Sequence, residues 1–128
     1  MDGNLKPLVG IVGPCASGKS TLYHRLSKKG INARHIAQEH SYVPAMWKII
    51  TQPDILIFLN VSYLMTIQRS NLDWTILEFQ EQLYRLRHAN EHADLHIDTD
   101  NLSPESIEKL VLSLLIQKGL IHEDILDE

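Results

Sequence analysis

The alternation of apolar and polar positions divides the chain into short strands and amphipathic helices. Leu8 to Val12 is an apolar run with the length and residue types of a buried parallel strand. From Thr21 to Lys29, Leu22 and Leu26 lie four apart on one helical face, and Gly30 suits the left-handed position that ends a helix. Residues 31–37 read as a second, weaker strand, followed by the polar stretch Gln38 to Tyr42. Pro44 predicts the first turn of a short helix reaching Thr51, and Pro53 stops it. Asp54 to Asn60, with five successive apolar residues from Ile55 to Leu59, is the strongest strand pattern in the chain. An unbroken run of this kind implies burial on both faces, as in a parallel sheet covered by helices.

The second half follows the same logic. Ser62 is placed to cap a helix over Tyr63 to Arg69, and residues 70–73 break the pattern. A longer helix is predicted from Trp74 to His92, opened by Thr75 and Glu78 as a capping box. Its apolar stripe runs through Ile76, Phe79, Leu83, Leu86 and Ala93. Ala93 to Asp98 alternates as a strand should. Ser103-Pro104-Glu105 supplies a cap, a proline at the first helical position and an acidic first turn. Ile107, Leu110, Val111, Leu114 and Leu115 are the expected buried face of that last helix, and Gly119 its end. Strands alternating with helices imply a parallel sheet with right-handed crossovers. The expected organisation is one domain over residues 1–120, then an acidic tail over 121–128 that is mobile or docks elsewhere.

Composition narrows the function classes. The chain has 128 residues, 12 basic and 16 acidic, for a formal charge of −4. That balance gives no electrostatic footprint for nucleic acid or an anionic membrane. No apolar run approaches the roughly 20 residues of a membrane span. Met1-Asp2-Gly3-Asn4 lacks signal-peptide character, and the one cysteine cannot form an internal disulfide, so a reduced, cytoplasmic setting is expected.

The first strand and first helix enclose Gly13-Pro14-Cys15-Ala16-Ser17-Gly18-Lys19-Ser20, followed by Thr21. This is the G-x-x-x-x-G-K-[ST] pattern of a P-loop in its strand–loop–helix context. Gly13 and Gly18 let the backbone bend so that successive N–H groups point inward. The helix N-terminus adds free N–H groups and the positive end of its dipole. Lys19 would place a compact charge near the β- and γ-phosphates, and the Ser20 hydroxyl would ligate Mg²⁺. Cys15 reads either as a small loop residue or as a redox-sensitive thiol.

The P-loop, the segment from Pro53 to Ser62, Gln68-Arg69, Ala93 to Asp100 and Leu102 to Glu105 together resemble the small P-loop kinases, of the nucleoside-monophosphate and shikimate types. The resemblance implies a three-layer α/β/α P-loop NTPase fold with a parallel sheet of four to five strands, and ATP and Mg²⁺ as cofactors. It implies that Gly13 to Thr21 hold the phosphates and that Arg69 points toward the transferred phosphoryl group. It further implies that Arg85 or Arg87 lies near the lid and that Thr99 to Ser103 lie near the adenine. The chain departs from the family in two ways. About fifteen residues, 38–53, stand where a substrate-binding insertion is usual, too few for a strand and a helical subdomain. The acid that assists Mg²⁺ also lacks its usual place. Asp54 precedes its strand, Asn60 is an amide, and Glu39, beyond the second strand, is the candidate for orienting a metal water or acting as a base.

Other groups have competing readings. His88, His92 and His96 recur every fourth residue, but the third falls in a strand, which favours ordinary surface or hydrogen-bonded histidines over zinc. Arg69, Arg85 and Arg87 could stabilise phosphoryl charge or pair with neighbours such as Glu81 and Glu91. Tyr42 and Trp47 could stack on a substrate ring or fill the seam between sheet and helix. The leading expectation is a minimal Mg-dependent kinase passing the γ-phosphate of ATP to an unidentified small-molecule acceptor. Its rival is a nucleotide-binding regulatory module or slow ATPase that docks a protein partner. The absence of N-K-x-D disfavours a GTP switch, and the absence of the transporter signature disfavours that class. A second subunit is expected to complete the shortened substrate side, giving a homodimer.

Overall fold

The computed structural model describes residues 6–127. The expectation for residues 1–4 and the last residue of the acidic tail lie outside them. The chain is mixed α/β with one four-stranded parallel sheet. The strands are β1 (Val9–Val12), β2 (Ala33–His35), β3 (Ile55–Asn60) and β4 (Leu95–Asp98), in the spatial order β2-β1-β3-β4. The helices are α1 (Lys19–Lys28), α2 (Tyr63–Ser70), α3 (Ile76–Arg85), α4 (Arg87–His92) and α5 (Pro104–Gln117). Among the described residues no helix is long and apolar enough to cross a membrane.

Strand alternation builds two cores. Val9, Ile11, Ile55, Ile57, Leu59 and Ile97 face α1 and α5, where Leu22, Leu26, Ile107, Val111 and Leu115 meet them. Val12, Leu56 and Phe58 point the other way and pack with Ile36, Trp47, Leu86 and Ala89. β3 is buried along its apolar length because it feeds both cores. The chain leaves β1 for β2 on one side and later returns to place β3 on the other. Such a reversal opens a crevice beyond the carboxyl ends of the strands, where ligands bind in open α/β sheets.

Helix ends follow the sequence closely. Ser62, Thr75 and Ser103 each accept a hydrogen bond from a backbone N–H of the first turn, and Thr75 with Glu78 completes the capping box. At the end of α1 the Gly30 and Ile31 N–H groups donate to Ser27 and Leu26, with Gly30 at φ 78°. Gly119 ends α5 in the same way. Both are Schellman closures, in which a left-handed residue turns the last carbonyls onto following amides.

Five expectations are corrected. The helix drawn from Trp74 to His92 is two helices, broken at Leu86, whose N–H reaches both Gln82 and Leu83. That tightening brings Leu86 and Ala89 together under the sheet. The buried face of α3 carries Phe79 and Gln82, while Ile76 and Leu83 of the expected stripe are 50% and 37% exposed. On α5 the buried face takes Leu112 and Glu108 instead of Leu110. Glu108 is tolerated there because Arg25 of α1 donates to it at 2.6 Å. Pro44 to Thr51 is turns followed by a single π-helical turn at Trp47–Thr51. Ile121 and Ile125 of the expected tail pack against the core beside α5, with a 3₁₀ turn at Glu123–Asp127.

Candidate functional site

The segment from Gly13 to Ser20 leaves β1 at the strand-order reversal and enters α1. Gly13 is fixed by close approach: a Cβ there would lie 2.5 Å from the Leu59 carbonyl oxygen and 2.7 Å from Ser17 Oγ. Gly18 has open space around it but φ 103°, a conformation that a side chain strains. Ala16 also sits in the left-handed region, at φ 67°. Strain of this kind persists only where surrounding contacts impose it. No side chain caps α1, so its first-turn amides open toward the crevice.

Lys19 folds back over the loop. Its Nζ donates to Gly13 O at 2.6 Å and to Glu39 Oε2 at 2.7 Å. Glu39 is 4% exposed, held in a 3₁₀ turn just past β2. Its Oε1 is buried and has no hydrogen-bond partner, and the same holds for Ser17 Oγ. Asp54 is at the opposite end of the sheet, where it accepts from the Leu8 N–H at 2.7 Å.

Arg69, near the end of α2, ties the loop to the segment after β4. Its guanidinium donates to Ala16 O at 3.1 Å, to Thr99 Oγ1 at 3.0 Å and to the Thr99 carbonyl. Thr99 Oγ1 in turn donates to Asn60 O. Two clefts meet at this arginine. One, of about 370 Å³, runs over Ala16 to Thr21 with His35 and Ser70 on its walls. The other, of about 240 Å³, is apolar and lies between Ser17, Thr21 and the pair Leu102 and Pro104. A polyanion with a flat apolar group at one end matches that pairing of an amide-rich cleft and an apolar slot.

The remaining sequence candidates are distributed unevenly. Ser20 and Thr21 line the larger cleft, and Ser20 is exposed. Glu39 does not line it, being engaged below by Lys19. Arg85 donates weakly to the Glu39 carbonyl at 3.4 Å and lies over the Tyr42 ring. Arg87 is turned away from the loop, over the Tyr84 ring and bonded to the Tyr84 carbonyl at 2.8 Å. Trp47 fills the second core and donates to His88 Nδ1. His92 and His96 contact backbone carbonyls through ring nitrogens.

Sequence reading missed Gln82. Its Oε1 accepts from the Cys15 N–H at 2.9 Å, and its Nε2 lies 3.1 Å from Cys15 Sγ. This side chain braces the loop from α3, 67 residues away. Its one sequence signal is a polar residue three positions after Phe79 on the same helical face. His40 was also missed. It sits beside Cys15 and Glu39.

Fold and site thus define a mixed α/β protein with a glycine loop at the strand-order reversal of a four-stranded parallel sheet. No protein-family model matches the chain, and no curated protein matches it in sequence.

Proposed function

We propose that this chain is a nucleoside-triphosphate-binding P-loop protein of the small-kinase type, with a three-layer α/β/α arrangement, acting on a small-molecule acceptor. One observation carries the reading. An uncapped helix N-terminus, a loop glycine at φ 103° (Gly18) and Lys19 line a cleft that meets an apolar slot at Arg69. The phosphates would lie against the amides of residues 13–21, and the base would enter the slot beside Leu102 and Pro104. Lys19 would exchange Gly13 O for a phosphate oxygen, with Glu39 keeping its ammonium aimed. Arg69, held by Thr99, would meet charge at the junction of the clefts. Transfer would form a bond between the acceptor oxygen and the γ-phosphorus as the bridging bond to the β-phosphate breaks. Mg²⁺ would share the phosphate charge. The residues present fit it modestly, through Ser20, with its other ligands coming from phosphate and water.

The second reading, a regulatory module or slow ATPase, is favoured by a specific feature. No carboxylate is among the residues lining the larger cleft, so none stands there to orient a metal-bound water or take the acceptor's proton. Phosphorus NMR of Mg-ATP with stoichiometric protein and a pool of small metabolites separates the two. A shifted ATP spectrum and a new phosphorylated species only with the pool supports the kinase. Bound ATP that persists, or slowly yields inorganic phosphate, supports the module. An unshifted spectrum overturns both.

A further inference from the structure

Among the described residues, one group of three metal-ligating side chains comes together: Cys15, Glu39 and His40, with their ligand atoms all within 4.8 Å of one another. They come from two chain segments that the sheet brings side by side. Cys15 is in the glycine loop after β1, and Glu39 and His40 are in the turn after β2. Cys15 Sγ is 3.8 Å from His40 Nε2, which is 3.7 Å from Glu39 Oε2. In a tetrahedral zinc site, Zn–S and Zn–N bonds of about 2.3 and 2.0 Å hold the ligand atoms roughly 3.3–3.6 Å apart. These two separations are within about half an ångström of that range, and the Cys15–Glu39 separation, inside 4.8 Å, would also shorten as a cation draws its ligands together.

We infer that Cys15, Glu39 and His40 form a binding site for a thiophilic divalent cation of the Zn²⁺ class, with water as the fourth ligand.

Three further features support it. The oxygen near His40, Glu39 Oε2, is shared with Lys19, while Oε1 of the same buried carboxylate has no hydrogen-bond partner, so the group keeps acceptor capacity beyond its ion pair. Gln82 Nε2 beside Cys15 Sγ is an outer-shell donor of the kind that orients a metal thiolate. His40 is more than half exposed, which leaves a path for the cation to enter. The donor set also selects. Thiolate and imidazole suit zinc, cobalt and copper, and a hard cation such as Mg²⁺ prefers oxygen. On binding, the thiol proton leaves to solvent and a sulfur–metal bond takes its place. Because Cys15 belongs to the loop and Glu39 holds Lys19, the cation would occupy the rim of the glycine loop, distinct from a phosphate-bound Mg²⁺.

The test is titration of the reduced full chain with Co²⁺ alone, without nucleotide, read by near-ultraviolet and visible absorption. The expected result is a thiolate-to-cobalt charge-transfer band saturating at one equivalent, with four-coordinate visible bands that Zn²⁺ erases. The charge-transfer band is lost in Cys15→Ser, and cobalt affinity falls at least tenfold in His40→Ala, a substitution at an exposed position. His88→Ala, in the stacked His88–His92 pair away from this site, leaves the titration unchanged. Absence of the charge-transfer band in the native chain, or its persistence in Cys15→Ser, overturns the assignment. So does unaltered affinity in His40→Ala. No nucleotide enters this experiment, so its failure is separate from any failure of the nucleotide reading.

Discussion

Single residues hold the glycine loop by opposite means. Gly13 has no room for a side chain, whereas Gly18 has room but a backbone angle that a side chain resists. Gly13→Ala must push against a backbone carbonyl, and overpacking of that kind costs about 1–3 kcal/mol. A lower urea midpoint with an unchanged slope is the expected outcome. The Lys19–Glu39 pair is the other residue-scale determinant. Lys19→Met leaves a carboxylate that is 4% exposed without its cation, and breaking a buried pair costs about 3 kcal/mol or more. The double variant Lys19→Met with Glu39→Gln should be more stable than Lys19→Met alone, because no buried charge remains. Denaturation of the two variants side by side checks this. Equal stability would show that the carboxylate finds another partner. The glycines and the lysine were legible in the sequence because a fixed local spacing encodes them. That Glu39 lies beneath Lys19 was not, because no periodicity relates a loop lysine to a turn twenty residues on.

At the scale of elements, capping residues and Schellman glycines act within four residues of their helix ends, and their positions followed from the sequence. The helical faces were harder to read. Hydrophobicity alone selected Leu83 and Leu110 as buried, but the structure buries Gln82 and Glu108 instead. Each has a partner on another element: Cys15 for Gln82, Arg25 for Glu108. A polar side chain is buried when a partner satisfies it, and the partner is invisible along the helix itself. Gln82→Ala should therefore act at a distance. It leaves the Cys15 amide without its acceptor, which costs about 1–2 kcal/mol in thermal or chemical denaturation. On the proposed function it should also weaken Mg-ATP binding several-fold by calorimetry, since the loop loses its brace.

For the whole molecule, the sheet order β2-β1-β3-β4 sets the crevice, and the segment from residue 38 to 53 lies between β2 and β3. That segment is short and carries exposed apolar side chains, Tyr42, Val43, Ile49 and Ile50. A second copy covering this segment remains our proposal for completing the acceptor side. Sedimentation with saturating nucleotide should report a dimer, and Ile50→Glu, at a side chain 73% exposed, should return it to monomer. A monomer at high concentration would refute the second subunit.

The sequence by itself determined the helix caps at Ser62, Thr75 and Ser103, the glycine ends at Gly30 and Gly119, the four strands, and which loop carries the G-x-x-x-x-G-K-S pattern. Those features depend on neighbours a few residues apart: caps, turn glycines, strand alternation and the spacing of G-x-x-x-x-G-K-S. Only the tertiary structure decided what surrounds the loop. It set Glu39 against Lys19, Gln82 against Cys15, Arg69 between Ala16 and Thr99, and His40 beside the thiol. Each of these contacts joins segments that the parallel sheet lays side by side, far apart along the chain. Their specificity is a product of strand order and register, which hydrophobic patterning constrains but does not spell out.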